Sequence, residues 1–182
     1  MTTSIADSST RVEKIYTRYA GLYAPSVVAE AAALLDAYLA TAEQHGLDRT
    51  AADEEGGLAV SAAEAVARKY RRPKTDRTSV ELSQLTRELT AALTEEGLEI
   101  VPTQIRMGTG VAAVPGGPTW GMAGGLAVAI YADSGWELTA NSTRTSVHTI
   151  HAPATAAGAR EVARLVHAVL RGDIANPFNR NR

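Results

Sequence analysis

Two histidines three residues apart, His148 and His151, are the closest the chain comes to a metal-ligating or acid–base pair. They fall in Thr143–His151, an alternating stretch rich in β-branched residues that reads as a strand. Positions i and i+3 of a strand face opposite sides, so the pair is not expected to hold one ion. No acidic cluster flanks them to complete a zinc set. His45 and His167 fall on expected helices, distant in sequence. The chain has no cysteine, hence no thiol nucleophile, disulfide or thiolate metal site. The serine patterns GxSxG and SxxK do not occur. The acids Asp53-Glu54-Glu55 and Glu95-Glu96 are adjacent, and adjacent helical residues do not face each other across a cleft. These patterns assign no catalytic residue, no metal ligand and no cofactor. An enzyme site around His148 and Tyr131 is the third-ranked reading.

Phosphate chemistry has two candidate segments. Residues 108–125 hold seven glycines and two prolines, but neither GxxxxGK[ST] nor GxGxxG is present. Gly108-Thr-Gly110 leads into Val-Ala-Ala-Val, not into a helix start. That stretch reads instead as a long loop containing a short strand at Val111–Val114. Trp120 and Met122 are its candidate partner-binding anchors, because aromatics and Met are enriched at interfaces. The second segment is the basic run of Arg68, Lys69, Arg71, Arg72, Lys74 and Arg77. It could contact nucleic-acid phosphates. It also falls at an expected helix C-terminus, where cations complement the macrodipole without any ligand. A formal net charge of -2 is a weak footprint for a polynucleotide partner, so this stands as the alternative.

The elements that would carry these residues follow from periodicity. Val12, Ile15, Tyr16 and Tyr19 mark a first helix that Gly21 can end. Pro25 opens a second, running to about His45, with Val28, Ala31, Leu35, Tyr38, Leu39 and Ala42 as its apolar stripe. Leu47–Gly57 reads as a loop. Ser61 and Glu64 have capping-box spacing for a third helix ending near Arg71. Thr78 and Glu81 repeat that spacing for a fourth, through Leu82, Leu85, Leu89 and Leu93 to Gly97. The residues after Leu98 change period. Leu98–Val101 and Gln104–Met107 look like strand material interrupted by Pro102. Leu126–Ala132 is a bounded apolar run, and Gly135 supplies a hairpin turn. Trp136, Leu138 and Ala140 then alternate with Glu137, Thr139 and Asn141. A last helix runs from Thr155 to a stop at Gly172.

The expected fold is α+β. A helical N-terminal half packs with a small antiparallel sheet of three to five strands and a C-terminal helix. Residues 1–182 are expected as one domain, with a sub-boundary near residue 97. The first residues lack the basic and apolar regions of a secretory leader, and no apolar run is long enough to span a bilayer. The chain is therefore expected in the cytoplasm, away from membrane. The leading functional expectation is a non-catalytic protein-interaction or assembly component, with a protein partner or self-association. Leu35, Leu89 and Val166 should be core. Leu89→Ala should lower stability by roughly 2–5 kcal/mol in urea unfolding. A loss under about 0.5 kcal/mol would put Leu89 on the surface.

Overall fold

A computed structural model describes residues 7–18, 21–53, 56–71, 77–100, 111–114, 126–132, 135–139 and 147–178. In chain order these form α1 (Ser8–Arg18), β1 (Leu22–Tyr23), α2 (Pro25–Gln44), α3 (Arg49–Ala52), α4 (Gly57–Arg71) and α5 (Ser79–Glu95). Then come β2 (Val111–Val114), β3 (Leu126–Tyr131), β4 (Gly135–Thr139), β5 (Val147–His151) and α6 (Ala156–Arg171). The fold is α+β, as the periodicities predict. α1, α2 and α4 pack on one another, and α5 runs alongside α6 and against β2 and β3.

The described strands form one sheet in the order β1-β5-β4-β3-β2. β2 to β5 make an antiparallel meander. Gly135, at φ 75°, turns the chain into β4 as its type suggests. The sequence pattern does not reveal β1. It pairs parallel to β5, with Leu22 opposite Ile150 and Tyr23 opposite His151, so the sheet is mixed. A two-residue strand has no period to detect. β4 also differs from the half-buried strand its alternation suggests. Trp136 and Leu138 are buried, but so are Glu137 and Thr139, each 5% exposed.

The helix ends explain why the chain folds here. α5 has the expected capping box. Thr78 Oγ1 accepts from the Glu81 amide at 3.2 Å, and Glu81 Oε2 accepts from the Thr78 amide at 2.7 Å. α6 is capped by Thr155 Oγ1, which accepts from the Gly158 amide at 3.1 Å, and is stopped by Gly172 at φ 82°. Gly158 could not be another residue without a shift. A Cβ there would lie 1.8 Å from the Pro153 carbonyl oxygen. That same oxygen accepts the Trp136 indole N–H at 2.9 Å.

α4 corrects the sequence reading. It begins at Gly57, and Ser61 lies inside it. The cap is Asp53, whose Oδ1 accepts from the amides of Leu58 at 2.7 Å and Ala59 at 3.2 Å. Its other oxygen pairs with Arg11 of α1. A buried carboxylate that is both capped and charge-paired outcompetes a serine in the local pattern. The expected loop 47–57 also holds the single turn α3, capped by Asp48 through the Thr50 and Ala51 amides.

One cluster of buried side chains runs from Val12 and Tyr16 through Leu35, Leu89 and Leu138 to Val166 and Leu170. Leu35, Leu89 and Val166 are each 0% exposed. Asp53→Ala should remove the α4 cap and leave Arg11 half-buried without its partner. The expected loss is about 2–4 kcal/mol by urea unfolding, with Asp53→Asn losing less because its side-chain oxygen still caps.

Candidate functional site

A cleft of about 630 Å³ opens between α1, α4 and the β1–β5 end of the sheet. α1 contributes Ile15 and Tyr16, and α4 contributes Ala63, Glu64, Ala67 and Arg68. Gly21 and Tyr23, with His148, Thr149 and His151 of β5, complete the lining. The volume falls in the range of small-ligand and side-chain pockets.

Its wall is a column of three rings. Tyr16 stacks on Tyr23 with centroids 3.7 Å apart and planes 10° apart. Tyr23 stacks on His151 at 4.7 Å and 14°. The sheet register sets the second contact, because Tyr23 and His151 are direct partners in adjacent strands. Tyr16 comes from the last turns of α1, and its hydroxyl donates to the Ala63 carbonyl of α4 at 3.0 Å. Gly21 is required where it stands. A Cβ there would lie 1.9 Å from Tyr23 Cε2 and 2.5 Å from Tyr23 Oη. The ring cannot swing away cheaply, since both of its faces are occupied.

The register puts His148 on the sheet face of its partner Leu138, and His151 on the face of Tyr23. The expected opposite facing is therefore observed, yet both residues border one cleft. The cleft sits at the edge of the sheet, where β1 pairs with only the last two residues of β5. His148 also meets the Phe178 ring edge-on at 5.0 Å. The Phe178 amide in turn donates to Asn176 Oδ1 at 2.9 Å, in a turn that fixes the segment after α6.

Among the described side chains of the basic run, none shares a site with another. Arg68 borders the cleft, while Lys69 Nζ donates to Glu30 Oε1 of α2 at 2.6 Å. Arg77 borders a separate recess of about 230 Å³ with Glu81 and Thr155. Only the backbone of Arg71 is described, and Arg72 and Lys74 lie outside the described residues. Trp120 and Met122 also lie outside them. Among the described residues, no group of three His, Asp or Glu side chains comes together to hold a metal ion. No described helix is long and apolar enough to cross a membrane.

Burial pushes the Tyr16 phenol well above its ordinary value, with Tyr23, Glu30 and Tyr70 adding to the shift. Tyr70 is pushed up to about 12 by burial and by its hydrogen bond to Glu30, 2.7 Å long. Partial burial raises the Glu30 carboxyl, but hydrogen bonds from Lys69 and Tyr70 outweigh it and hold the group below its ordinary value. Tyr16 is thus a fixed, protonated wall group rather than a base. The column went unseen in the sequence because its rings come from three elements that no local pattern links.

Comparison with protein-family models, with curated proteins and with solved structures gives no match.

The two raised phenols fix a pH dependence. Between the ordinary value of 10 and their folded values, the unfolded chain binds fewer protons than the native one. Stability from these groups is complete below about pH 10; the Tyr70 part is lost as pH rises through about 12, and the Tyr16 part at higher pH still. Ultraviolet titration of the native protein should show Tyr16 and Tyr70 ionising late. Tyr70→Phe should remove one of them and flatten the alkaline loss of stability.

Proposed function

We propose that this chain is a non-catalytic protein-binding component of an intracellular assembly, and that its cleft receives a segment of the partner. The observation that carries the reading is the ring column. Tyr16 is anchored by the Ala63 carbonyl, and Tyr23 is held between two rings over Gly21. These groups are already committed to each other, so they offer shape and rigid apolar area rather than reactivity. Rigid aromatic walls of this kind favour recognition, since little side-chain freedom is lost on binding. The lack of cysteine agrees with a reducing compartment.

One observation favours a second reading, acid–base chemistry: two imidazoles, His148 and His151, border the same cleft. That reading requires a bound small substrate whose turnover falls with His148→Gln while binding persists.

The first reading is tested by selecting displayed random peptides on the full chain and measuring their affinity by calorimetry. Thr149→Arg fills the cleft from a half-buried position on β5. It should weaken the selected peptides tenfold or more, about 1.4 kcal/mol, with the melting temperature nearly unchanged. Equal binding by the variant would remove the cleft from the reading.

A further inference from the structure

We infer that a second copy of this chain docks on the exposed face of α4, antiparallel about a twofold axis, with Glu64 of each copy paired to Arg68 of the other. The two residues also border the cleft. The joint needs no bound segment, so it goes beyond the reading above and can fail without it.

The first support is a pair of charges left over. Glu64 and Arg68 stand one helical turn apart on α4, and both are exposed. An acid four residues before a base is the favoured order for an ion pair within one helix. Neither residue is in an ion pair among the described residues. Arg68 Nε donates instead to the Glu64 carbonyl at 3.3 Å, which leaves the carboxylate unmatched. The next cation along behaves differently, since Lys69 is matched by Glu30 of α2 at 2.6 Å.

The second support is the shape of that flank. Ser61 and Ala65 recur with Glu64 and Arg68 at three- and four-residue steps, which makes one stripe. Ser61 is exposed and Ala65 half-buried, so the stripe faces outward. Both uncharged side chains are short. Helix axes pack about 8–10 Å apart, and short side chains at the contact allow the closer end of that range.

The third support is symmetry. A helix that matches Glu64 and Arg68 must present a base and an acid one turn apart, in reverse order. α4 itself is such a helix once turned end for end. A twofold axis level with the midpoint of the two residues sets Glu64 beside Arg68 of the second copy, and symmetry repeats the pair. A parallel arrangement would set like charges together. Exposed ion pairs add little affinity singly, but they fix register and reject the wrong orientation. The dimer is therefore weak, concentration-dependent and sensitive to salt.

Sedimentation of the full chain over a concentration series tests this. A reversible dimer should form and should weaken as salt is raised. Glu64→Arg and Arg68→Glu should each weaken it tenfold or more, with the melting temperature of the monomer nearly unchanged. An equimolar mixture of the two variants should recover the dimer, because one then carries two bases and the other two acids. The double variant Glu64→Arg with Arg68→Glu should dimerise like the parent. A chain that stays monomeric up to about 1 mM would overturn the joint, and would leave the cleft reading standing if selected peptides still bind. A dimer indifferent to both single reversals would overturn the assignment to α4. Single variants that weaken the dimer without recovery in the mixture would overturn the antiparallel pairing.

Discussion

The Tyr23 ring joins the helical layer to the sheet. β1 is only Leu22 and Tyr23, too short to hold its place by ladder bonds alone. Each such bond contributes about 1 kcal/mol net, and stacked aromatic pairs contribute about 0.5–1.5 kcal/mol each beyond the area they bury. The contacts to Tyr16 and His151 are therefore comparable to the ladder in holding β1. They hold it against α1 on one side and β5 on the other, with Gly21 as the condition for the ring to lie flat. The cleft inherits its shape from that arrangement. Remove the stack, and the end of α1, the start of α2 and the edge of β5 lose their common reference.

Carboxylates repeat this role at the helix ends. Asp53 caps α4 and pairs with α1. Ala24 gives α2 no side-chain cap, and Glu161 of α6 serves instead, accepting from the Ser26 amide at 3.2 Å and its hydroxyl at 2.6 Å. Glu96, just past α5, lies 3.5 Å from Arg164 and 3.3 Å from His167 on α6. Asp53 and Glu161 each satisfy a helix N-terminus while fixing a second element, and Glu96 ties the end of α5 to α6. The exposed contacts among these add little stability singly. Their value is geometric, because the core is built mainly from Ala, Val and Leu, with Trp136 its largest side chain. Small side chains allow close approach but constrain angle poorly, and directed polar contacts at helix ends supply the missing constraint.

What could be read in the sequence was what is local. The capping box at Thr78 and Glu81, the amphipathic stripe of α6 and the stop at Gly172 are all decided within a few residues, and all are observed. In α2 the stripe is rotated slightly, with Val27 fully buried where Val28 was expected, since packing against α4 sets the final phase. What could not be read was assembled over distance. Asp53 overrides the local cap at Ser61 because Arg11 stabilises its burial, and nothing in the spacing links residue 11 to residue 53. Strand alternation puts the two histidines on opposite faces, as observed, but face is not the same as site. Only the end of β1 tells that both can reach one opening. Of the basic run, Arg68 alone among the described side chains is placed at the cleft.

The sheet also limits where a partner could dock. All five residues of β4 are buried, including the polar Glu137 and Thr139, so neither face of that strand is open to another molecule. A partner that uses the sheet must therefore use an edge. β5 is bounded by β4 on one side and by two residues of β1 on the other, so its exposed backbone is short. Short edges protect a chain from uncontrolled strand pairing.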